Sequence, residues 1–369
     1  MNDQAKKLRE LAQKIREERD RASLIVDPTI RRPEKISIDH GIIPKVKKTV
    51  VGAPPKTIDG TRSSGSTATV AELGVKERLE IKKEMAISPA DNTASCTMGI
   101  HSTRIIAVSS GKGGVGKSNL VINLGIALAM RGKKVMVLDA DLGLANIDVL
   151  LGINPKYTLQ HLVDGGKTMQ EILINGPHSL KIVPGGSGIP ELANLSDDKR
   201  QKLIENFVEL DSEADLALID TGAGISKNVI AFIIAAREAI IITTPEPTAI
   251  TDAYGLIKVI TQRDIDVDIK IVINMVSSEK EGREIAGRIV MATKQFLNKQ
   301  IEILGYVTSD PLVNASVRKQ EPLILGYPGA RASKCIRQIA VNLDKIDKDD
   351  VRVVKRNGFR GFLSRLFER

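Results

Sequence analysis

The chain has little of what would indicate a disulfide scaffold, a metal cluster or a membrane span. Its 369 residues include two cysteines, Cys96 and Cys335, which lie far apart with no CxxC pair and no histidine cluster. A disulfide framework, a zinc site and an iron–sulfur site are therefore not indicated, and inert thiols are expected. No stretch approaches the roughly 18 apolar residues of a transmembrane helix, and the charged N-terminus lacks an apolar signal segment. These absences predict a cytoplasmic protein, soluble or peripheral to a membrane.

The net charge of +9 is confined to the two ends of the chain. Residues 1–100 carry 19 basic and 14 acidic side chains, residues 351–369 carry 6 and 1, and residues 101–350 carry 29 and 30. A near-neutral core with basic ends suits contact with an acidic partner, which is either a membrane surface or nucleic acid. Charge alone does not choose between the two.

The pattern along the chain divides it into four segments. Residues 1–22 have apolar positions at helical spacing and predict an amphipathic helix. Residues 23–100 contain spaced prolines followed by a Gly/Ser/Thr tract and predict a flexible linker. Residues 101–346 alternate β-branched runs with helical segments, which predicts an α/β domain whose mostly parallel sheet is covered by helices on both faces. Residues 347–369 form a basic, amphipathic tail.

A complete phosphate-binding loop follows the first β-branched run, Ile105 to Val108. The GxxxxGK[ST] motif consists of Gly111, Lys112, Gly113, Gly114, Val115, Gly116, Lys117 and Ser118. In such a loop the backbone N–H groups surround the phosphates, and the positive end of the following helix adds to the attraction. Lys117 is expected to reach the β- and γ-phosphate oxygens and Ser118 to bind Mg²⁺. The alternative is a glycine-rich turn that binds nothing.

An additional lysine makes this loop resemble that of the MinD/ParA superfamily of deviant Walker A P-loop ATPases. The form K-G-G-x-G-K-[ST] adds Lys112 to a loop that is complete without it. The resemblance implies ATP hydrolysis with Mg²⁺ in an ATP-dependent homodimer. It also implies that Lys112 acts in trans and stabilises phosphoryl charge on the partner subunit's ATP.

Aspartates at the ends of two later strands match the switch segments of the same superfamily. The resemblance assigns Asp139 to the Mg²⁺ shell and Asp141 to orienting the attacking water, so that Asp141 joins Lys112 and Lys117 as a catalytic residue. In the second segment, which runs from Asp220 to Gly224, it assigns Asp220 to Mg²⁺. Taken singly, each aspartate could instead cap a strand end, whereas together they follow the expected order.

Two further stretches resemble segments of the superfamily, and the first of them is the segment that contacts the nucleotide base. Asn274 ends a β-branched run and is assigned to the purine; because no N-K-x-D guanine signature is present, adenine is favoured. A plain loop asparagine is the alternative. The stretch from Pro245 to Thr248 is assigned loop structure without chemistry.

Within the superfamily, three segments resemble the FlhG family of flagellum-number regulators: DQAKKLR at Asp3 to Arg9, Leu142 to Gly152, and Pro184 to Ile189. In that family the first element stimulates a GTPase of the FlhF type. The resemblance therefore implies an FlhF-type partner for residues 1–22. Flagellar basal-body proteins and transcription regulators are further candidate partners, and no specific nucleic acid is expected.

Apolar and basic side chains alternate in the tail. Its large apolar residues recur at i, i+3, i+4, i+7 and i+8, and they are Phe359, Phe362, Leu363, Leu366 and Phe367. Arginines lie between them. This pattern predicts that Phe359 to Arg369 forms a helix on an anionic membrane surface, peripheral at the inner face of the cytoplasmic membrane. The alternatives are a helix docked on the core and a disordered tail.

Three other functions share parts of this pattern. A ParA-like DNA-partition ATPase would use basic residues on its core, but residues 101–350 have a balance of −1. An iron–sulfur carrier would need cluster-binding cysteines, and two scattered ones do not suffice. A protein that binds ATP without hydrolysing it is left open by the sequence.

Overall fold

The computed structural model describes residues 102–141, 146–186, 196–349 and 358–368. The predicted helix over residues 1–22 and the predicted linker over residues 23–100 lie outside them. Within the described residues, eight strands form one sheet of order β3-β4-β2-β5-β1-β6-β7-β8. The strands are β1 (Arg104–Ser110), β2 (Val135–Ala140), β3 (Ile174–Asn175), β4 (Lys181–Val183), β5 (Leu216–Ala223), β6 (Glu238–Thr243), β7 (Asp268–Val276) and β8 (Glu302–Thr308).

The sheet is parallel except for the short edge strand β3, which pairs antiparallel with β4. Strand β1 lies between β5 and β6, and the β-branched runs of these strands are buried because helices cover both faces. The β-branched runs expected in residues 101–346, of which Ile105 to Val108 is the first, form β1, β2, β5, β6 and β7. The α/β fold class is confirmed, and β3, β4 and β8 are additions that the β-branched pattern did not predict.

Helices connect the strands and form the two outer layers. In chain order they are α1 (Lys117–Ala129), α2 (Ile147–Leu151), α3 (Leu159–Val163), α4 (Met169–Ile172), α5 (Asp197–Val208), α6 (Lys227–Ala236), α7 (Pro247–Arg263), α8 (Glu279–Leu297), α9 (Pro311–Lys319), α10 (Leu323–Gly326), α11 (Arg331–Asp349) and α12 (Gly358–Phe367). Short 3-10 turns lie at Pro177–Ser179 and Glu209–Ser212. No helix in the described part of the chain is long and apolar enough to cross a bilayer.

Two hydrophobic cores lie on opposite faces of the sheet. One contains the apolar side chains of α1, α10 and α11, and the other those of α5, α6, α8 and α12. Both use alternate residues of the same strands: in β1, Ile105 and Ala107 face one core, whereas Ile106 and Val108 face the other. The sheet therefore separates the two cores and contributes side chains to both. Polar groups can gather at the carboxyl ends of its strands.

The C-terminal amphipathic helix α12 is docked on the domain. Its side chains Phe359, Phe362 and Leu363 are fully buried. The rings of Phe359 and Phe207 are 5.3 Å apart between centroids, and those of Phe362 and Phe232 are 6.1 Å apart. The sequence left a docked helix and a lipid-facing helix as alternatives, and this conformation is the docked one. An apolar stripe specifies burial without specifying what buries it, so contact of this helix with an anionic membrane stays a prediction.

A capped N-terminus and a polar contact fix α12 in its groove. The Phe359 N–H donates to Asp211 Oδ1 at 3.0 Å, and the same oxygen accepts the Thr103 N–H at 3.3 Å. Arg365 Nε donates to the Ala235 carbonyl at the end of α6 at 2.9 Å. One aspartate thus joins the start of β1 to the start of α12.

Candidate functional site

The phosphate-binding loop joins the buried strand β1 to helix α1. Gly116 has φ 85° and lies directly before Lys117, the first residue of the helix. The first N–H groups of this 13-residue helix have no partners within the helix, and its dipole places positive potential at the same point. Backbone donors and a helix N-terminus therefore converge where phosphates of a nucleotide bind in such loops.

Two glycines of the loop are required by close approaches. A Cβ at Gly111 would lie 2.3 Å from the backbone carbonyl carbon of Asp252 in α7. A Cβ at Gly116 would lie 2.5 Å from the amide nitrogen of Asn274, and the positive φ of Gly116 also disfavours a side chain. The loop is thus wedged between α7 and the end of β7.

Lys117 and Asp220 form a buried ion pair at the centre of the site. Lys117 Nζ is 2.6 Å from Asp220 Oδ1, and the side chains are 8% and 1% exposed. Burial raises the pKa of Asp220, and the charges of Lys117 and the hydroxyl of Ser118 oppose that rise. The second oxygen, Oδ2, has no hydrogen-bond partner among the described residues. A buried, unpartnered carboxylate oxygen beside a serine hydroxyl fits a Mg²⁺ ligand pair.

Asp139 lies beside Asp220 because β2 and β5 are paired in parallel with these two residues in register. Burial and the neighbouring negative charge raise the pKa of Asp139 to about 6. Its Oδ1 accepts the N–H of Asp141 at 3.1 Å, and its Oδ2 accepts those of Asn146 at 3.1 Å and Ile147 at 3.3 Å. Asp139 therefore binds the backbone on both sides of residues 142–145. Its place in the Mg²⁺ shell stays a prediction.

Asp141 lies at the mouth of a cleft between the two switch segments. The cleft has a volume of about 170 Å³ and is lined by Asp141, Gly222, Ser226, Asn228 and Phe232, among others. A Cβ at Gly222 would lie 3.6 Å from Asp141 Oδ1, so the second segment passes within ordinary contact distance of this carboxylate. The arrangement leaves space for a small molecule such as water beside Asp141.

Lys112 pairs with side chains at the start of α7. Its Nζ is 2.7 Å from Glu246 Oε2 and 3.3 Å from Thr248 Oγ1. The side chains of Lys112 and Glu246 are 42% and 64% exposed. The stretch from Pro245 to Thr248 was expected to be a loop without chemistry; its first half is a loop, and its second half belongs to α7. Pro247 begins α7, and Glu246 and Thr248 hold the additional lysine.

Asn274 contacts the phosphate-binding loop from the end of β7. Its Nδ2 donates to the Val115 carbonyl at 2.8 Å, and its Oδ1 accepts the Met275 N–H at 2.9 Å. These two bonds fix the orientation of the amide group and leave one N–H and one lone pair. An asparagine amide can use such a pair to contact N6 and N7 of adenine.

The structure brings the predicted residues together in two groups. Lys117, Ser118, Asp139, Asp141 and Asp220 gather at the carboxyl ends of β1, β2 and β5. Lys112, within the loop, pairs with the start of α7, and Asn274 contacts the loop from the end of β7. No three His, Cys, Asp or Glu side chains of the described residues form a metal cage. Mg²⁺ sites on nucleotides usually take one or two protein ligands, with phosphates and water as the others.

Sequence reasoning missed Glu246 and Thr248. Their side chains act on a lysine more than 130 residues away in the sequence. The signal that was available is the placement of an acidic residue directly before Pro247, which commonly occupies the first position of a helix. Such a signal locates a helix start without naming its partner.

A parallel sheet with a P-loop after the central strand β1, and with aspartates at the carboxyl ends of the adjoining strand β5 and of β2 beyond it, defines a P-loop NTPase. The ParA family model, described as NUBPL iron-transfer P-loop NTPase, matches residues 101–344. The chain is 38% identical over 245 residues to the antiactivator FleN of Pseudomonas aeruginosa, covering 66% of this chain and 88% of FleN. It is 36% identical over 271 residues to the flagellum site-determining protein YlxH of Helicobacter pylori, covering 72% and 90%.

The fold also agrees with that of a solved structure. The septum site-determining protein MinD of Pyrococcus horikoshii, solved with Mg-ADP, aligns with a TM-score of 0.56 at 24% identity, covering 68% of this chain and all of MinD. The chain therefore belongs to the MinD/ParA superfamily of P-loop ATPases, in the FlhG group that contains FleN and YlxH. It is an ATPase that uses ATP and Mg²⁺, as the sequence predicted.

The family description names an iron-transfer protein, and the described part of this chain does not offer an iron site. Cys335 is the one cysteine there, and its thiol is unbridged. Iron–sulfur clusters are held by several thiolates. The described residues therefore give no support to an iron carrier.

Replacing the two lysines of the loop separately should have unequal effects on stability. Lys117→Ala leaves Asp220 buried without its counter-charge, so the unfolding free energy of the nucleotide-free protein should fall by about 3–5 kcal/mol. Lys112→Ala removes an exposed pair and should cost less than about 1 kcal/mol. Urea unfolding measures both. The double variant Lys117→Ala/Asp220→Asn should recover part of the loss, and equal stability of the two single variants would contradict the assignment.

Proposed function

We propose that this ATPase is a nucleotide-switched dimer that acts on a membrane and sets the number or placement of flagella. The flagellar role is supported by its similarity to YlxH, which is named as a flagellum site-determining protein. The dimeric switch is supported by one observation above all. Lys112 belongs to the phosphate-binding loop, and its ammonium group is bound to Glu246 and Thr248 at the start of α7, in a pair that is exposed on both sides.

A lysine held this way is available to a second subunit. Its pair with Glu246 is exposed on both sides, and exposed ion pairs contribute less than about 1 kcal/mol. A phosphate anion of a neighbouring subunit's ATP offers Lys112 a stronger, doubly charged partner. We therefore expect ATP to draw two subunits together, with the Lys112 side chains exchanged, and hydrolysis to release them.

The other residues of the site have separate roles in hydrolysis, which follow from their positions. When bound, Mg²⁺ supplies charge neutralisation at the β- and γ-phosphates. Ser118 and Asp220 would hold it, and Lys117 would turn from Asp220 to the phosphates. Asp141 would orient a water molecule in the cleft between the switch segments. Because Lys112 completes the site only from the partner subunit, a single subunit should hydrolyse ATP slowly, and lipid and partners that favour the dimer should stimulate it.

The second switch segment is connected directly to the helix that holds α12. Ser226 follows the segment and caps α6, with its Oγ accepting the Val229 N–H at 3.3 Å. Two turns further along, Phe232 lines the switch cleft and packs against Phe362 of α12. A shift of the second segment on ATP binding would therefore be passed by α6 to the docking groove of α12.

Membrane binding requires α12 to leave that groove. Phe359, Phe362 and Leu363 each gain about 1.5–3 kcal/mol from burial, and lipid would have to replace this. One released helix would bind lipid only marginally, whereas a dimer presents two copies. Since the second insertion is intramolecular, avidity can raise affinity by roughly 10²–10⁴. Arg360, which is exposed, and the other arginines of Phe359 to Arg369 would contact anionic headgroups.

The partner of residues 1–22 is proposed to be a GTPase of the FlhF type. The support is the DQAKKLR element at Asp3 to Arg9, followed by apolar residues at helical spacing. An isolated helix of about 20 residues is marginal in water, so it would gain its order on the partner. Basal-body proteins and transcription regulators are further candidates through other surfaces.

The dimer is tested by light scattering with ATP, with ADP and without nucleotide. Wild type should double in mass with ATP alone. Lys112→Ala should bind ATP but remain monomeric, because the trans contact is lost, and Asp141→Ala should stay dimeric because hydrolysis is blocked. Lys202→Ala, which removes an exposed lysine of α5, is the control and should behave as wild type. One mass in all three nucleotide states would exclude the switch.

Membrane binding is tested by sedimentation with anionic liposomes. ATP should increase the bound fraction at least about tenfold over ADP, because avidity needs two helices. Phe362→Asp and Leu366→Asp should abolish sedimentation while ATP binding persists. Gln201→Asp, with the same charge change on the exposed surface of α5, should sediment normally. Wild-type sedimentation of a chain ending at Lys355 would rule out α12 as the anchor.

The FlhF-type partner is tested with a peptide of residues 1–22. The peptide should raise the partner's GTPase rate, and a peptide of the same composition in scrambled order should not, because the helical spacing is lost. Gln4→Ala in the full chain should reduce stimulation. Stimulation by the full chain but not by the peptide would show that this segment is insufficient.

A further inference from the structure

Met275 has an unusual backbone conformation at the edge of the proposed base site. Its φ is 58°, and its side chain is 45% exposed. The other non-glycine residues with positive φ in the described part of the chain lie at helix C-termini or in the 3-10 turn at Pro177–Ser179. Met275 instead lies within the range of strand β7. A left-handed methionine inside a strand is strained, and such strain is concentrated at functional positions.

A bulge produces this conformation. Ile273 pairs with Tyr306 and Val276 with Thr308, so three steps along β7 face two along β8. The extra residue takes Met275 out of the regular ladder, and its N–H is satisfied by Asn274 Oδ1 at 2.9 Å. The asparagine assigned to the base thus also supports the bulge.

The bulge turns two neighbouring side chains toward the same place. In a regular strand, Asn274 and Met275 would point to opposite faces of the sheet. Here a Cβ at Gly116 would lie 2.5 Å from Asn274 Nδ2 and 3.6 Å from Met275 Cε. An amide and a thioether therefore flank the end of the phosphate-binding loop together.

We propose that Met275 is a specificity-determining residue whose thioether contacts the face of the purine while Asn274 contacts its polar edge. The proposal rests on the proposed placement of the base at Asn274. Methionine is unbranched and polarizable, and its sulfur makes favourable contacts with aromatic rings. A glycine would adopt this φ without strain, so the backbone conformation alone does not explain a methionine here. The function of the position therefore depends on the exposed, apolar side chain. The contact favours a large aromatic base without selecting among hydrogen-bonding edges.

Calorimetric titration with ATP and with inorganic tripolyphosphate separates base contacts from phosphate contacts. Met275→Gly relieves the backbone strain and removes the thioether. Its affinity for ATP should fall by about 3- to 10-fold, the size of one sulfur–aromatic contact. Its affinity for tripolyphosphate should not change. Met275→Leu keeps an apolar side chain of similar volume at the same φ but lacks the sulfur, so its affinity for ATP should lie between those of Met275→Gly and wild type.

Asn274→Ala distinguishes failure of this inference from failure of the base placement. If Asn274→Ala loses ATP affinity relative to tripolyphosphate and Met275→Gly does not, the base lies at Asn274 and Met275 has no role. If neither variant loses that preference, the base is elsewhere and both ideas are wrong. An equal loss for ATP and tripolyphosphate in Met275→Gly would mean that Met275 only shapes the loop, which also overturns the proposal.

Discussion

The in-register pairing of β2, β5 and β1 is the constraint on which the site depends. It sets Asp139 beside Asp220 and Asp220 beside Val108, in a sheet whose two faces are both covered. Two carboxylates at that spacing, nearly without water, raise the pKa of Asp139 to about 6 and call for a cation at Asp220. Lys117 is that cation in this conformation. In any other conformation, Mg²⁺ or a phosphate-bound lysine would have to balance the negative charge of Asp220. The geometry of the phosphate-binding loop follows, because Lys117 must reach Asp220 from the first residue of α1.

The same end of the sheet explains how one site could influence a distant surface. The second switch segment ends in Ser226, α6 begins there, and α6 forms part of the groove that holds α12. Asp211 lies at the other side of that groove and binds both Thr103 and Phe359. The start of β1 therefore lies close to the start of α12. Packed elements of this kind move as units because their cores resist gradual deformation.

Local signals explain what the sequence predicted. The P-loop, the five β-branched strands and the order of Asp139, Asp141 and Asp220 could be found because each is a pattern of neighbouring residues. Strands β3 and β4, with two and three residues, are too short for a period to be seen. The pairing of Lys112 with Glu246 joins distant segments, and the bulge at Met275 arises from the register between β7 and β8. An amphipathic pattern such as that of α12 predicts which face of the helix is buried. It does not predict whether protein or lipid buries that face, since both do so equally well.

The two lysines of the loop differ in burial, and this difference suits them to different functions. Lys117 is almost fully buried, and removing it leaves the carboxylate of Asp220 buried without a counter-charge. Lys117 can therefore change partners only when another cation replaces it at Asp220. Lys112 is half-exposed, its pair with Glu246 is weak, and water can solvate either group during an exchange. The proposed exchange of Lys112 between subunits requires the second kind of binding. The step of five residues between them carries the chain from the interior to the surface, so one loop contains both a fixed charge and a movable one.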